Sequence, residues 1–145
     1  MLVLSVRSRA AMNAVDTNVL VRLLTGDDHA QERAAKSLFA ADSVWIAKTV
    51  LLETGWVLAS VFGYDESAIR DAFLSLLGLD GVHVEDSACV AAALALKEHG
   101  VQFADALNLS SRPPHAVFVS FDKDLIRRAQ RAGVSGVRGL SALSK

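Results

Sequence analysis

Short apolar runs alternate along the chain with longer stretches of helical period, the pattern of a parallel α/β sheet. The runs predict strands at Asn13 to Asp16, Val44 to Ala47, Val82 to Glu85 and Ala116 to Ser120, with a weak fifth at Gly136 to Arg138. Stretches of 3.6-residue period predict helices over Thr17 to Leu24, Asp28 to Ala41, Thr49 to Phe62, Glu66 to Leu77, Ser87 to His99, Ala104 to Ser111 and Lys123 to Ala132. Asp28, Asp65 and Asp86 stand where a side chain can accept from free amides at a helix start. Gly63, Gly100 and Gly133 stand where helices end. Arg112-Pro113-Pro114 stops the sixth helix and leads into the Ala116 strand. No internal repeat or low-complexity linker interrupts the pattern, so one α/β domain is expected, with helices on both faces of its sheet.

Composition adds a surface and a compartment. The chain has 145 residues, enough for one well-filled core. Hydrophobic residues make up 52% of it and mean hydropathy is +0.33, so apolar patches are expected at the surface, where a second copy could cover them. Cys89 is the single cysteine, which excludes an internal disulfide and a cysteine-built zinc site and suits a reducing cytoplasm. At the start, Leu2 to Val6 is too short for an export signal, and Arg7 and Arg9 follow it instead of preceding it. Residues 1–11 are expected to be a disordered extension, with Met12 an alternative start and the domain running from 12 to 145. Val50 to Phe62 is interrupted by Glu53 and too short to span a bilayer. Net charge is −1 overall, but the chain from Arg112 onward carries +5 and the remainder −6. A local basic face for a polyanion is therefore available.

Several acids do not fit a purely structural role. Asp16, between a strand and a helix, can be an N-cap, although Thr17 and Asn18 could serve as well. Glu53 is the only charged residue between Lys48 and Asp65, and its helical neighbours Thr49, Val50, Trp56 and Val57 make its face largely apolar. A buried carboxylate without a cation there would be costly. Asp105 falls in the first turn of a short helix, where the helix dipole favours it. Asp122 and Asp124 follow the clearest strand; one of them caps the next helix, and Asp122, nearer the strand, takes the sheet-end position with Ser120 beside it. Ligands of parallel sheets bind beyond the carboxyl ends of the strands. If Asp16, Glu53, Asp105 and Asp122 converge, each pair of charges ~5 Å apart at an effective dielectric of ~20 repels by about 3 kcal/mol, and a cation or protonation must accompany them. Oxygen-only ligation favours Mg²⁺ or Mn²⁺ over zinc. His29, His83, His99 and His115 have no ligand spacing, and the sequence holds no phosphate-binding glycine loop and no nucleophile elbow.

The segments VDTNVLVRLL, LLETGWVL, FADALNLS and FVSFDKDL together resemble the PIN-domain ribonucleases, specifically the VapC-type toxins of bacterial toxin–antitoxin pairs. The resemblance runs from Met12 to Leu143 with the motifs in the family's order. It implies a parallel sheet of order 3-2-1-4-5 and a metal site in which Asp16, Glu53, Asp105 and Asp122 are the four acids, with Thr17, Asn18, Ser120 and Asp124 supporting them. It also implies Mg²⁺- or Mn²⁺-dependent endoribonuclease activity, homodimers, and inhibition by a cognate antitoxin. Hydrolysis by water would leave a 5′-phosphate and a 3′-hydroxyl, with the metal neutralising charge on the phosphate and Glu53 binding metal or accepting the proton. Lys123, Arg127, Arg128, Arg131 and Arg112 are the candidate RNA-phosphate contacts. Trp45, Trp56, Phe103 and Phe121 are expected in the core, not as stacking platforms. Two other readings compete: a Mg²⁺-binding receiver-like signalling module, which lacks its lysine after the last strand here, and a catalytically inert PIN-like binding module.

Overall fold

The computed structural model describes residues 11–141, so the expected extension, apart from Ala11, lies outside the described residues. Ala11, just before the first strand, is bonded to the sheet, its carbonyl accepting from Ser43 N at 2.8 Å. In order along the chain the elements are β1 (Met12–Ala14), α1 (Thr17–Thr25), α2 (His29–Ala41), β2 (Ser43–Ile46), α3 (Lys48–Ser60), α4 (Glu66–Leu77), β3 (Val82–Val84), α5 (Ser87–Lys97), α6 (Phe103–Ser110), β4 (Phe118–Ser120), α7 (Lys123–Arg131) and β5 (Val137–Gly139). None of these helices is long and apolar enough to cross a membrane.

The chain divides into two compact units, the first ending at Glu85 and the second starting at Asp86. In the first, β1, β2 and β3 form a parallel sheet in that order, with Asn13 opposite Val44 and Trp45 opposite His83. α1 packs on α2 and α3, and α4 packs on α3 and β3. Leu20, Val21, Val44, Ile46, Leu51, Leu58, Ile69, Phe73 and Leu76 are almost fully buried. In the second unit β4 and β5 pair in parallel, Val119 opposite Arg138, and α5 packs on α6. Leu109, Ile126, Ala129 and Val137 form its buried cluster, with Leu96, Phe118 and Val134 packed against it. The pairings β1-β2-β3 and β4-β5 are segments of the order 3-2-1-4-5. The β1–β4 pairing that would join them into five strands is not among the pairings of the described residues.

The local signals act largely as expected. Asp28 and Asp65 accept from Gln31 N at 3.0 Å and Ala68 N at 2.8 Å. Gly63, Gly100 and Gly133 turn the chain at φ of 72°, 85° and 87°, a conformation open to glycine at no steric cost. Asp86 is the exception: it stands before α5 in the left-handed region, φ 51°, and makes no side-chain capping bond. β4 is shorter than its apolar run because Ala116 is used in a turn, its N donating to Pro113 O at 3.0 Å and its carbonyl accepting from Arg112.

Candidate functional site

The same local device places an acid at the end of a strand in each unit. In the first, β1 ends at Ala14, Val15 N reaches Trp45 O at 3.3 Å, and the next residue, Asp16, caps α1 by accepting from Val19 N at 3.2 Å. In the second, β4 ends at Ser120, Phe121 follows, and Asp122 caps α7 by accepting from Leu125 N at 3.1 Å. Ser120 Oγ accepts from Asp122 N at 3.0 Å, which fixes that turn. Asp16 is thus the N-cap after all, and Thr17 and Asn18 do not replace it. Each cap engages Oδ1 alone.

Thr17 is buried and spends its hydroxyl elsewhere, donating from Oγ1 to Glu53 Oε1 at 2.6 Å. One peptide link and one hydrogen bond therefore connect Asp16 to Glu53, and the packing of α1 on α3 holds both at one end of the unit. α3 is itself set by β3, because Glu85 Oε1 accepts from Lys48 N at 2.9 Å where Ala47 offers no side-chain cap. Glu53 is exposed, contrary to the expectation of a buried carboxylate. Leu51, Thr54, Gly55 and Leu58 form the buried side of α3, which leaves Thr49, Glu53 and Trp56 on the outer side. A cavity of about 400 Å³ is lined by Asp16, Asn18 and Arg22 from α1 and by Gln31, Ala35 and Leu38 from α2. Arg22 is fixed there by Gln31 Oε1 at 2.7 Å and by both Asp27 oxygens at 2.9 Å.

In the second unit Asp105 is half-buried in the first turn of α6. That turn starts at the buried Phe103, whose ring lies 5.8 Å from Lys97 Nζ, a cation–π distance. Asp105, Asp122 and Asp124 line one cavity of about 170 Å³ together with Gln102, Leu125 and Arg128. Burial pushes the Asp105 carboxyl above the usual carboxylate range, and the charge of Asp122 pushes it further. Among the described residues no group of three or more His, Cys, Asp or Glu side chains stands arranged to hold a metal ion. Each pair of acids is thus brought together within its own unit, Asp16 with Glu53 and Asp105 with Asp122.

The basic candidates differ in what their side chains do. Arg112 gives Nε to Ala116 O at 2.9 Å, Nη1 to Leu109 O at 2.9 Å and Nη2 to Ser135 O at 2.7 Å. Arg127 pairs with Asp124 one turn earlier on α7, and Arg128 donates to Gly100 O at 2.9 Å. Lys123 and Arg131 are exposed. Of Trp45, Trp56, Phe103 and Phe121, only Phe103 is in the core as expected; Trp56 is 67% exposed, Phe121 64% and Trp45 37%. Glu85 was not singled out by the sequence, because it acts through Lys48, which is remote along the chain.

A family model of the PIN domain matches residues 14–131. No curated protein matches the chain. Among solved structures, a chain of the crystal structure of VapBC2 from Rickettsia felis bound to a DNA fragment from their promoter is similar over 89% of this chain and 98% of that one, with 11% identity and a TM-score of 0.36. With the family match spanning all four acids, the chain belongs to the PIN domain family.

Proposed function

We propose that this chain is a divalent-metal-dependent endoribonuclease of the VapC toxin type, which hydrolyses RNA to 5′-phosphate and 3′-hydroxyl ends. The observation that carries the reading is the Asp105–Asp122 pair: two carboxylates share one small polar cavity, where burial first and then the charge of Asp122 push the Asp105 carboxyl up. A hard cation relieves that repulsion, and Mg²⁺ needs only one or two carboxylates besides waters and substrate phosphate. The all-oxygen donor set fits Mg²⁺ or Mn²⁺.

Asp105 and Asp122 would hold the cation, supported by Ser120 and Asp124; Asp16 and Glu53, with Thr17 and Asn18 beside them, are the remaining acids of the proposed set. The bound ion supplies charge neutralisation at the scissile phosphate. Asp16 and Asp122 are held by their capping bonds through one oxygen, which leaves the other for ligation. Glu53, steadied by the Thr17 hydroxyl, accepts the proton of the attacking water. Lys123 and Arg131 contact phosphates, and the exposed rings of Trp56, one turn from Glu53, and Phe121, next to Asp122, offer faces for bases of single-stranded RNA. The reading includes a cytoplasmic homodimer held inactive by a cognate antitoxin.

Purified, antitoxin-free protein incubated with RNA pools and Mn²⁺ tests the reading, with Asp16→Asn as control. Wild-type protein is expected to cleave at least one pool and the variant none. Equal behaviour of the two across all pools would leave a binding module in place of the nuclease.

A further inference from the structure

We propose that Arg128 is a positioning residue for the Asp105–Asp122 pair, acting through the backbone of the turn between α5 and α6 and not as a phosphate contact. This rests on the metal-site reading above. The turn is built on Gly100, whose φ is +85° and whose N donates to Lys97 O at 3.0 Å. Arg128 Nη1 donates to the Gly100 carbonyl at 2.9 Å. A Cβ at Gly100 would stand 3.6 Å from Arg128 Cδ and 3.8 Å from Nε, so the arginine stem lies across the bare face of the glycine. Val101, next in the turn, is 3% exposed and anchors it from below.

The consequence is geometric. Arg128 is on α7, the helix that Asp122 caps, and Gly100 is in the turn that delivers α6 and its first-turn Asp105. One guanidinium therefore ties the element carrying one acid to the element carrying the other, and both ends of the tie line the acids' cavity. Two carboxylates that repel need their spacing imposed from outside, and an outer contact of this kind sets the affinity of a metal site without touching the metal. Arg128 was a candidate for RNA phosphate by composition alone; the carbonyl it engages gives it a different task.

The test is calorimetric titration of Mn²⁺ into full-length wild-type, Arg128→Ala, Arg128→Lys and Gly100→Ala proteins, together with metal-free RNA binding over a range of salt. Arg128→Ala is expected to weaken Mn²⁺ binding about tenfold with the salt dependence of RNA binding unchanged. Arg128→Lys, which keeps the charge and loses the guanidinium fork, is expected to weaken Mn²⁺ binding in the same direction. Gly100→Ala removes no charge and no ligand; its Cβ would only touch Arg128, but at φ +85° it strains the turn that Arg128 holds, so it tests the turn should Arg128→Ala fail to fold, and it too is expected to weaken Mn²⁺ binding. Wild-type Mn²⁺ affinity in these variants, with the RNA salt slope of Arg128→Ala reduced by about one, overturns the positioning role alone. A wild-type protein with no Mn²⁺ affinity overturns the metal-site reading as well.

Discussion

Replacing Arg112 with alanine separates a structural arginine from an RNA-binding one. Its guanidinium joins three places: Leu109 near the end of α6, Ala116 before β4 and, 23 residues on, Ser135 before β5. A net hydrogen bond contributes about 1 kcal/mol, and a bond from a charged donor up to about twice that. The bonds to Leu109 and Ala116 are partly buried and the one to Ser135 is exposed, so the solvent discount falls mainly on the last. Removing all three is expected to cost about 2–3 kcal/mol, a large share of the roughly 5–15 kcal/mol that holds a domain folded. Urea unfolding should show a lower midpoint at unchanged slope. Arg112→Lys offers a single point donor in place of the fork and should recover less than half of the loss. The salt dependence of RNA binding should not change. An Arg112→Ala protein within about 0.5 kcal/mol of wild type, binding RNA with a salt slope reduced by about one, would make Arg112 a phosphate contact and not a structural tie.

Other expectations follow from the acids. Asp105 binds its proton more tightly in the folded than in the unfolded chain, so its ionisation penalises the fold above its raised pKa, and the penalty is relieved as pH falls through it. Asp105→Asn should accordingly unfold at higher urea than wild type at neutral pH and lose that advantage by about pH 4; a gap that widens on acidification contradicts the assignment. Asp16→Asn should abolish cleavage with little change in thermal stability, because asparagine caps as well as aspartate, whereas Asp16→Ala should lose activity and about 1 kcal/mol of stability. Thr17→Val should reduce RNA cleavage by releasing Glu53 while Asp16 still caps α1; unchanged turnover would remove Glu53's partner from the account.

The elements were legible because the two periodicities of the chain rarely conflict. Every predicted strand and helix is present, and the boundaries that moved did so for local reasons, such as the use of Ala116 in a turn held by Arg112. The environment of Glu53 was not legible. α3 is apolar on nearly every side, so the pattern could not say which face meets the core; Leu51 and Leu58 are buried, and Trp56 and Glu53 are not. An apolar neighbourhood in sequence is poor warrant for burial when over half the chain is hydrophobic. The same ambiguity put Trp56 and Phe121 wrongly in the core. Arginines are harder still: Arg112, Arg128 and Arg131 look alike in the sequence, and only the fold shows two of them bonded to carbonyls. For Asp16 and Asp122 the apparent choice between cap and functional acid was a false one, since the capping bond uses one oxygen and the proposed chemistry the other.

We propose that these acids serve a divalent cation. Calorimetric titration of Mn²⁺ into wild-type, Asp16→Asn and Asp105→Asn proteins tests it most directly. Saturable binding by the wild type, weakened at least about tenfold in both variants, is the predicted result; equal affinity in all three would contradict it.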